Sequence, residues 1–201
     1  VTGEPAAAGG PGDGLWDVLP ARRGHFRYES GHHGELWLDL DTLFLRPHRL
    51  APYVARLADQ LSGHAPDAVC GPLVGGALVA QLLAVRLGLE CYYSVRSEPA
   101  GGDALYPAGY QIPAALCDLL PDRRVAVVDD AINAGSAVRA TIRALRGCAA
   151  EPVAIGALLV LGSAVDEVAG GLPVAAVATA PNPLWAPAEC PLCAAGTPLE
   201  R

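Results

Sequence analysis

The chain has 201 residues, 52% hydrophobic and 17% charged, which suits one good-sized domain and excludes disorder along most of its length. Twenty-one acidic residues against fourteen basic ones give a formal net charge of −7, so a general nucleic-acid binder, which needs a basic surface, is set aside. No run of about 18 apolar residues escapes interruption by charge, Pro or Gly, so no membrane span is expected and the reading is a soluble, cytoplasmic protein.

Residues 1–14 are small and Gly/Pro/Ala-rich, without a basic segment followed by an apolar one. They read as a flexible tail rather than a signal peptide, ahead of one domain over 15–201. Phe26 to Glu29 and Glu35 to Leu40 alternate as a small antiparallel pair around Ser30-Gly31, and Arg49 to Leu61 has the period of an amphipathic helix. From Asp67 onward apolar runs alternate with helical patterns. Asp67–Cys70 is a short strand, Gly75–Leu87 a helix with Leu78, Val79, Leu82 and Leu83 on one face, and Glu90–Arg96 a strand. Residues 97–111 lack periodicity and form a loop long enough to suspect function. Val125–Val128 is a buried strand, Ser136–Arg146 a helix, Val153–Leu161 and Pro173–Ala178 are strands, and Ala164–Ala169 is a short helix between them. Strands alternating with helices predict an α/β fold with a parallel sheet flanked by helices. The core then covers about 46–178, and segments from both ends, about 15–45 and 179–201, build a small hood.

The most informative stretch is Val125-Ala-Val-Val-Asp-Asp-Ala-Ile-Asn-Ala-Gly-Ser-Ala-Val138. A buried strand carries Asp129 and Asp130 to the carboxyl edge of the sheet, where open α/β folds bind ligands. The small residues Asn133, Ala134, Gly135, Ser136 and Ala137 then let backbone N–H groups converge at a helix N-terminus, a setting for a monophosphate. Two carboxylates beside a phosphate would repel it, whereas a vicinal diol can donate a hydrogen bond to each. Phosphate at one end and cis-diol at the other describe a ribose 5-phosphate. The bland alternative makes Asp129 a strand terminator and Ser136 a helix cap.

This segment resembles the phosphoribosyl-diphosphate (PRPP) signature of type I phosphoribosyltransferases, with Asn133-Ala134 in place of the usual pair of threonines. Gly24-His-Phe-Arg-Tyr-Glu-Ser-Gly31 with Leu36-Trp-Leu-Asp39 resembles the N-terminal hood of the orotate phosphoribosyltransferases, and Gly71-Pro-Leu-Val-Gly-Gly76 their pyrophosphate loop. The resemblance covers roughly residues 20–180. It implies transfer of ribose 5-phosphate from PRPP to a nitrogen acceptor with release of pyrophosphate, dependent on Mg²⁺ held through PRPP near Asp129 and Asp130. It further implies that residues 133–137 take the 5-phosphate, and that Leu73, Val74, Gly75 and Gly76 with Arg96 take the pyrophosphate. Phe26, Glu29 and Trp37 then face the acceptor, loop 97–111 is the catalytic loop, and the chain is a homodimer with small-molecule partners only.

Two departures bear on the acceptor. The chain contains no lysine, and Glu29 stands where the orotate enzymes carry a lysine before Ser-Gly. A carboxylate opposite an anionic base in a desolvated pocket is unfavourable by roughly several kcal/mol, so the expected acceptor is neutral or cationic rather than orotate, unless Glu29 points to solvent or Arg27 pairs with the anion. Genuine orotate phosphoribosyltransferase activity and a PRPP-sensing regulator without turnover are the competing readings. His25, His32 and His33 crowd the hood and read first as solvated turn residues. The six cysteines favour reduced thiols over a disulfide scaffold. Cys190-Pro-Leu-Cys193 has zinc-ligand spacing, to which His32 or His33 would add a further ligand, but unpaired thiols and redox chemistry fit the spacing as well.

Overall fold

The computed structural model describes residues 14–28, 31–97 and 109–200. Strands β1 (Ala21–Arg27) and β2 (His33–Leu38) form a two-stranded antiparallel sheet. Short 3-10 turns (Leu40–Leu45 and Pro47–Leu50) lead into α1 (Ala51–Ser62). The main sheet is built from β3 (Ala68–Pro72), β4 (Glu90–Ser97), β5 (Gly109–Gln111), β6 (Arg124–Ile132), β7 (Glu151–Leu161) and β8 (Val174–Ala180), interleaved with α2 (Gly75–Leu87), α3 (Ala114–Cys117), α4 (Ser136–Gly147) and α5 (Ala164–Ala169). A last short helix, α6 (Pro191–Ala194), follows a 3-10 turn at Pro187–Glu189.

The sheet order is β5-β4-β3-β6-β7-β8, parallel except for the edge strand β5. Because β6 is covered on both faces its stretch Val125–Val128 is uninterruptedly apolar, and the period of two divides it between two cores. Ala126 and Val128 pack with α1 and α2, while Val125 and Val127 pack with Val138, Ile142 and Leu145 of α4. Within α2, Val79 and Leu83 are buried as expected, but Leu78 is exposed. Among the described residues no helix is long and apolar enough to cross a membrane.

Four further features differ from the sequence reading, the first being that β1 and β2 lie at Ala21–Arg27 and His33–Leu38 rather than Phe26–Glu29 and Glu35–Leu40. The strand expected to stop at Val128 runs on to Ile132, because β7 pairs with it as far as Ile132↔Val160. The end of the expected 97–111 loop is the strand β5, paired Arg96↔Tyr110 with β4, while residues 98–108 lie outside the described part. Cys117 and Cys148, read as reduced thiols, form a disulfide with a Cα–Cα distance of 5.1 Å. The turn after α3 and the end of α4 pack side by side, with Asp122 N–H donating to the Ala149 carbonyl at 2.9 Å, so two cysteines remote in sequence become neighbours.

The first hairpin and the C-terminal part of the described residues meet in the hood. Phe26 bridges to Glu200 and His33 to Trp185, and the Glu200 N–H donates to the His25 carbonyl at 2.7 Å.

Candidate active site

The centre of the sheet is its topological switch point. From β3 the chain steps outward to β4, whereas β6, on the other side of β3, leads outward to β7 and β8. Such a crevice at the carboxyl ends of two parallel strands is where open α/β sheets bind ligands. Cys70 pairs with Val127, and the chain beyond each of these residues builds one wall of the site.

On the β3 side, the turn from Gly71 to Gly76 enters α2 and contains a cis peptide between Leu73 and Val74. Both of these side chains are exposed. The Leu73 N–H donates to the Ser94 carbonyl at 2.9 Å, tying the turn to β4. A Cβ on Gly71 would stand 2.1 Å from the Gly76 carbonyl oxygen, so only glycine permits so tight a reversal. Arg96 lies on the exposed carboxyl end of β4, two residues beyond the Ser94↔Pro72 pair.

Asp129 and Asp130 stand on the β6 side, each 8% exposed. An Asp129 oxygen, Oδ1, accepts from the Asp130 N–H at 3.1 Å, and Asp130 Oδ1 accepts from the Ala131 N–H at 2.7 Å. The glycines opposite leave room for both acids: a Cβ on Gly75 would lie 1.9 Å from Asp130 Oδ2, and one on Gly76 would lie 2.8 Å from Asp129 Oδ1. Burial pushes the Asp129 carboxyl well above the usual carboxylate range, and the neighbouring Asp130 charge adds to it. Burial likewise raises Asp130, with a smaller contribution from Asp41 in the hood-side 3-10 turn. The pair therefore resists ionisation unless a cation or hydroxyl donors compensate it, a refinement of the two freely ionised carboxylates expected from sequence.

Residues 133–137 follow. Gly135, with φ of 68°, is the N-cap of α4, and no side chain caps that helix end. Ser136 is thus the first helical residue rather than the cap. Ala134 and Ser136 are exposed at the mouth of the loop. The loop is also tied to the hood, because the Asn182 Nδ2 donates to Asn133 Oδ1 at 3.2 Å. The Tyr28 hydroxyl donates to the Leu36 carbonyl. Neither Asn182 nor Tyr28 is legible from sequence, since one lies in a Pro-rich tail and the other in a strand-end pattern.

The hood residues expected to meet the acceptor divide. Trp37 is half-buried, stacked on Tyr28 with ring centroids 6.4 Å apart and an interplanar angle of 7°. Phe26 is 1% exposed, packed on Trp37 at 5.7 Å and covered by the Arg22 guanidinium at 5.5 Å. Its ring offers no ligand-facing surface, so it is a packing residue; sequence alternation identified the strand but not which end the C-terminal segment covers. Glu29 lies outside the described residues. His25 and His33, expected in solvated turns, are buried, because the C-terminal segment closes over them.

These features define a class, the type I phosphoribosyltransferases. The family described as phosphoribosyl transferase domain matches residues 44–174, and the chain belongs to it. It is similar to the orotate phosphoribosyltransferase of Caldanaerobacter subterraneus subsp. tengcongensis, 25% identical over 179 residues covering 89% of this chain and 88% of that protein. The orotate phosphoribosyltransferase of Heliobacterium modesticaldum is 29% identical, covering 87% of this chain and 86% of its own. Among solved structures, the Aeropyrum pernix orotate phosphoribosyltransferase aligns with a TM-score of 0.62 at 26% identity, over 81% of this chain and 88% of that one. The adenine phosphoribosyltransferase of Rhodothermus marinus shares the fold, with a TM-score of 0.66 at 17% identity over 83% and 96% of the two chains.

Proposed function

We propose that the chain transfers the 5-phosphoribosyl group of PRPP to a ring or amino nitrogen of a small neutral or cationic acceptor, releasing pyrophosphate. The observation that carries this reading is the acid pair of β6 lying against Gly75 and Gly76 of the opposite turn, with Asp130 six residues ahead of Ser136, the uncapped start of α4. In this reading the amides of 133–137 hold the 5-phosphate, and Asp129 and Asp130 accept hydrogen bonds from the ribose hydroxyls. The 73–76 turn and Arg96 receive the pyrophosphate, the guanidinium through paired N–H donors. The C1–O bond to pyrophosphate breaks, a C1–N bond forms, and the acceptor nitrogen releases its proton to solvent or to the departing diphosphate. The ionised acids offset positive charge building on the sugar ring as the leaving group departs.

Two buried carboxyls crowded by each other suit a divalent cation, and Asp129 and Asp130 would hold Mg²⁺ through the PRPP it chelates; its chemistry there is to neutralise charge on the pyrophosphate. The hood, tied to the phosphate loop through Asn182, keeps water from the activated sugar. A dimer completes the proposal, as the resemblance implies.

A second reading has a specific support: the two curated relatives named above are orotate phosphoribosyltransferases along most of this chain. The experiment that separates the readings is formation of orotidine monophosphate from orotate, PRPP and Mg²⁺, run on wild type and Glu29→Lys beside a panel of amino-heterocycles and amines. Turnover of the panel, with orotate used only by the lysine variant, supports a neutral or cationic acceptor. Robust wild-type use of orotate refutes that charge argument and leaves the donor chemistry standing. PRPP binding without release of pyrophosphate from PRPP in the presence of any acceptor would make the chain a sensor.

A further inference from the structure

The hood contains a second cluster of chemistry-bearing side chains, separate from the acid pair. His25 of β1, His33 of β2, and Cys190 and Cys193 around the start of α6 bring four ligand atoms within 4.8 Å of one another. The His25 Nε2 lies 3.0 Å from His33 Nδ1, 3.4 Å from Cys190 Sγ and 3.7 Å from Cys193 Sγ, and His33 Nδ1 lies 3.3 Å from Cys193 Sγ. A tetrahedral zinc with Zn–N near 2.0–2.1 Å and Zn–S near 2.3 Å has ligand–ligand edges of roughly 3.3–3.8 Å. These four spacings need shifts of only a few tenths of an ångström to meet that figure, and the other two, both within 4.8 Å, need at most about 1 Å.

Hydrogen bonding alone leaves the cluster unsatisfied. The His25 Nδ1 is 2.7 Å from the Thr197 carbonyl, which can only accept, so Nδ1 carries the proton and Nε2 presents its lone pair to the cluster. If His33 Nδ1 carries its proton it donates to that lone pair and the Cys190 thiol is left competing for it; if it does not, two ring lone pairs face each other at 3.0 Å. His25, His33 and Cys190 are buried, so water cannot relieve the mismatch on their side. A cation at the centre turns all four groups into acceptors at once, and the Thr197 carbonyl is then the outer partner that fixes the His25 tautomer. Cys193 is exposed and provides the route of entry.

We propose that His25, His33, Cys190 and Cys193 form a Cys₂His₂ zinc site that fastens the C-terminal segment to the N-terminal hood. Two thiol protons leave to solvent as Zn²⁺ binds, so the site is neutral overall. The physical need is plain from the fold. A two-stranded sheet such as β1–β2 is marginal by itself in water, and the segments clamped here come from opposite ends of the chain. Metal binding free energy at such a site is folding free energy of the hood.

The test uses the full untagged chain. Metal analysis of purified protein should find about one zinc per chain, and the chelator-stripped chain should take up Co²⁺ with visible ligand-field bands and a thiolate-to-cobalt charge-transfer band. Cys190→Ser with Cys193→Ser should remove both the zinc and the charge-transfer band, while Cys91→Ser and His48→Ala should keep them. Should the double variant fail to fold, the Co²⁺ spectrum of the wild type decides alone. Less than a tenth of a zinc per chain with no charge-transfer band, a Cys190–Cys193 disulfide in the purified chain, or zinc retained by the folded double variant overturns the proposal. These readouts do not depend on turnover, so they stand or fall apart from the phosphoribosyl-transfer reading.

Discussion

Replacing Gly135 by alanine probes the phosphate loop through two separable costs. Its φ of 68° lies in the left-handed region, where alanine is disfavoured by roughly 1–2 kcal/mol. The added Cβ would also stand 2.7 Å from Cγ2 of Val168 on α5, a buried side chain, and forcing a methyl into a packed contact costs about 1–3 kcal/mol. Together these give a destabilisation of about 2–5 kcal/mol, which for a chain of this size lowers Tm by roughly 5–15 °C. Combining Gly135→Ala with Val168→Ala relieves the collision but not the backbone cost. A double-mutant cycle in urea should therefore show a favourable coupling of about 1–3 kcal/mol. The same displacement moves the amides proposed to hold the 5-phosphate, so the KM for PRPP should rise at least about tenfold, equivalent to about 1.4 kcal/mol. A Gly135→Ala chain within about 0.5 kcal/mol of wild type, with additive effects in the cycle, would refute the reasoning.

Asp129→Asn with Asp130→Asn should lower turnover or PRPP affinity at least about tenfold, and unchanged kinetics would remove the acids from the donor site. The same pair carries a pH signature: both folded carboxyls titrate above their ordinary values, so the stability they contribute is present below the unfolded carboxylate pKa and is lost as pH rises through the folded one. The asparagine variant should thus gain on wild type in urea midpoint above about pH 4, and a gap that does not widen with pH counts against the buried, like-charged pair. Reducing the Cys117–Cys148 disulfide, which spans a sequence separation of 31, should cost about 3–4 kcal/mol by loop-closure entropy; a thermal midpoint indifferent to reductant and to Cys148→Ser would contradict it. Light scattering at micromolar concentration should report a dimer, and a monomer would remove that part of the proposal.

Local chemistry determined a large share of this protein. The run Val125–Val128, the paired acids and the Gly-containing loop before an amphipathic helix specify a strand–turn–helix unit without outside help. Apolar alternation, small residues and helical period are each properties of a few adjacent residues. The bounds of the helix over Gly75–Leu87 were legible in the same way, although its period set Leu78 on the buried face and the structure exposes it.

What the tertiary structure decided involves partners far apart in the chain. The pairing of Cys117 with Cys148, the burial of Phe26 and the Asn182–Asn133 hydrogen bond depend on which segments pack together. The raised pKa of the acid pair depends on Gly75 and Gly76 closing over it, and no property of Asp129 and Asp130 alone encodes that burial. His25 and His33 show the point most clearly. In sequence they are polar residues of a turn-rich hairpin, for which solvent is the default. Only the return of the C-terminal segment, more than 150 residues later, withdraws them from water and sets Cys190 and Cys193 beside them. Burial and coordination are properties of the assembled surface, so a one-dimensional pattern shows the ligands but not the site.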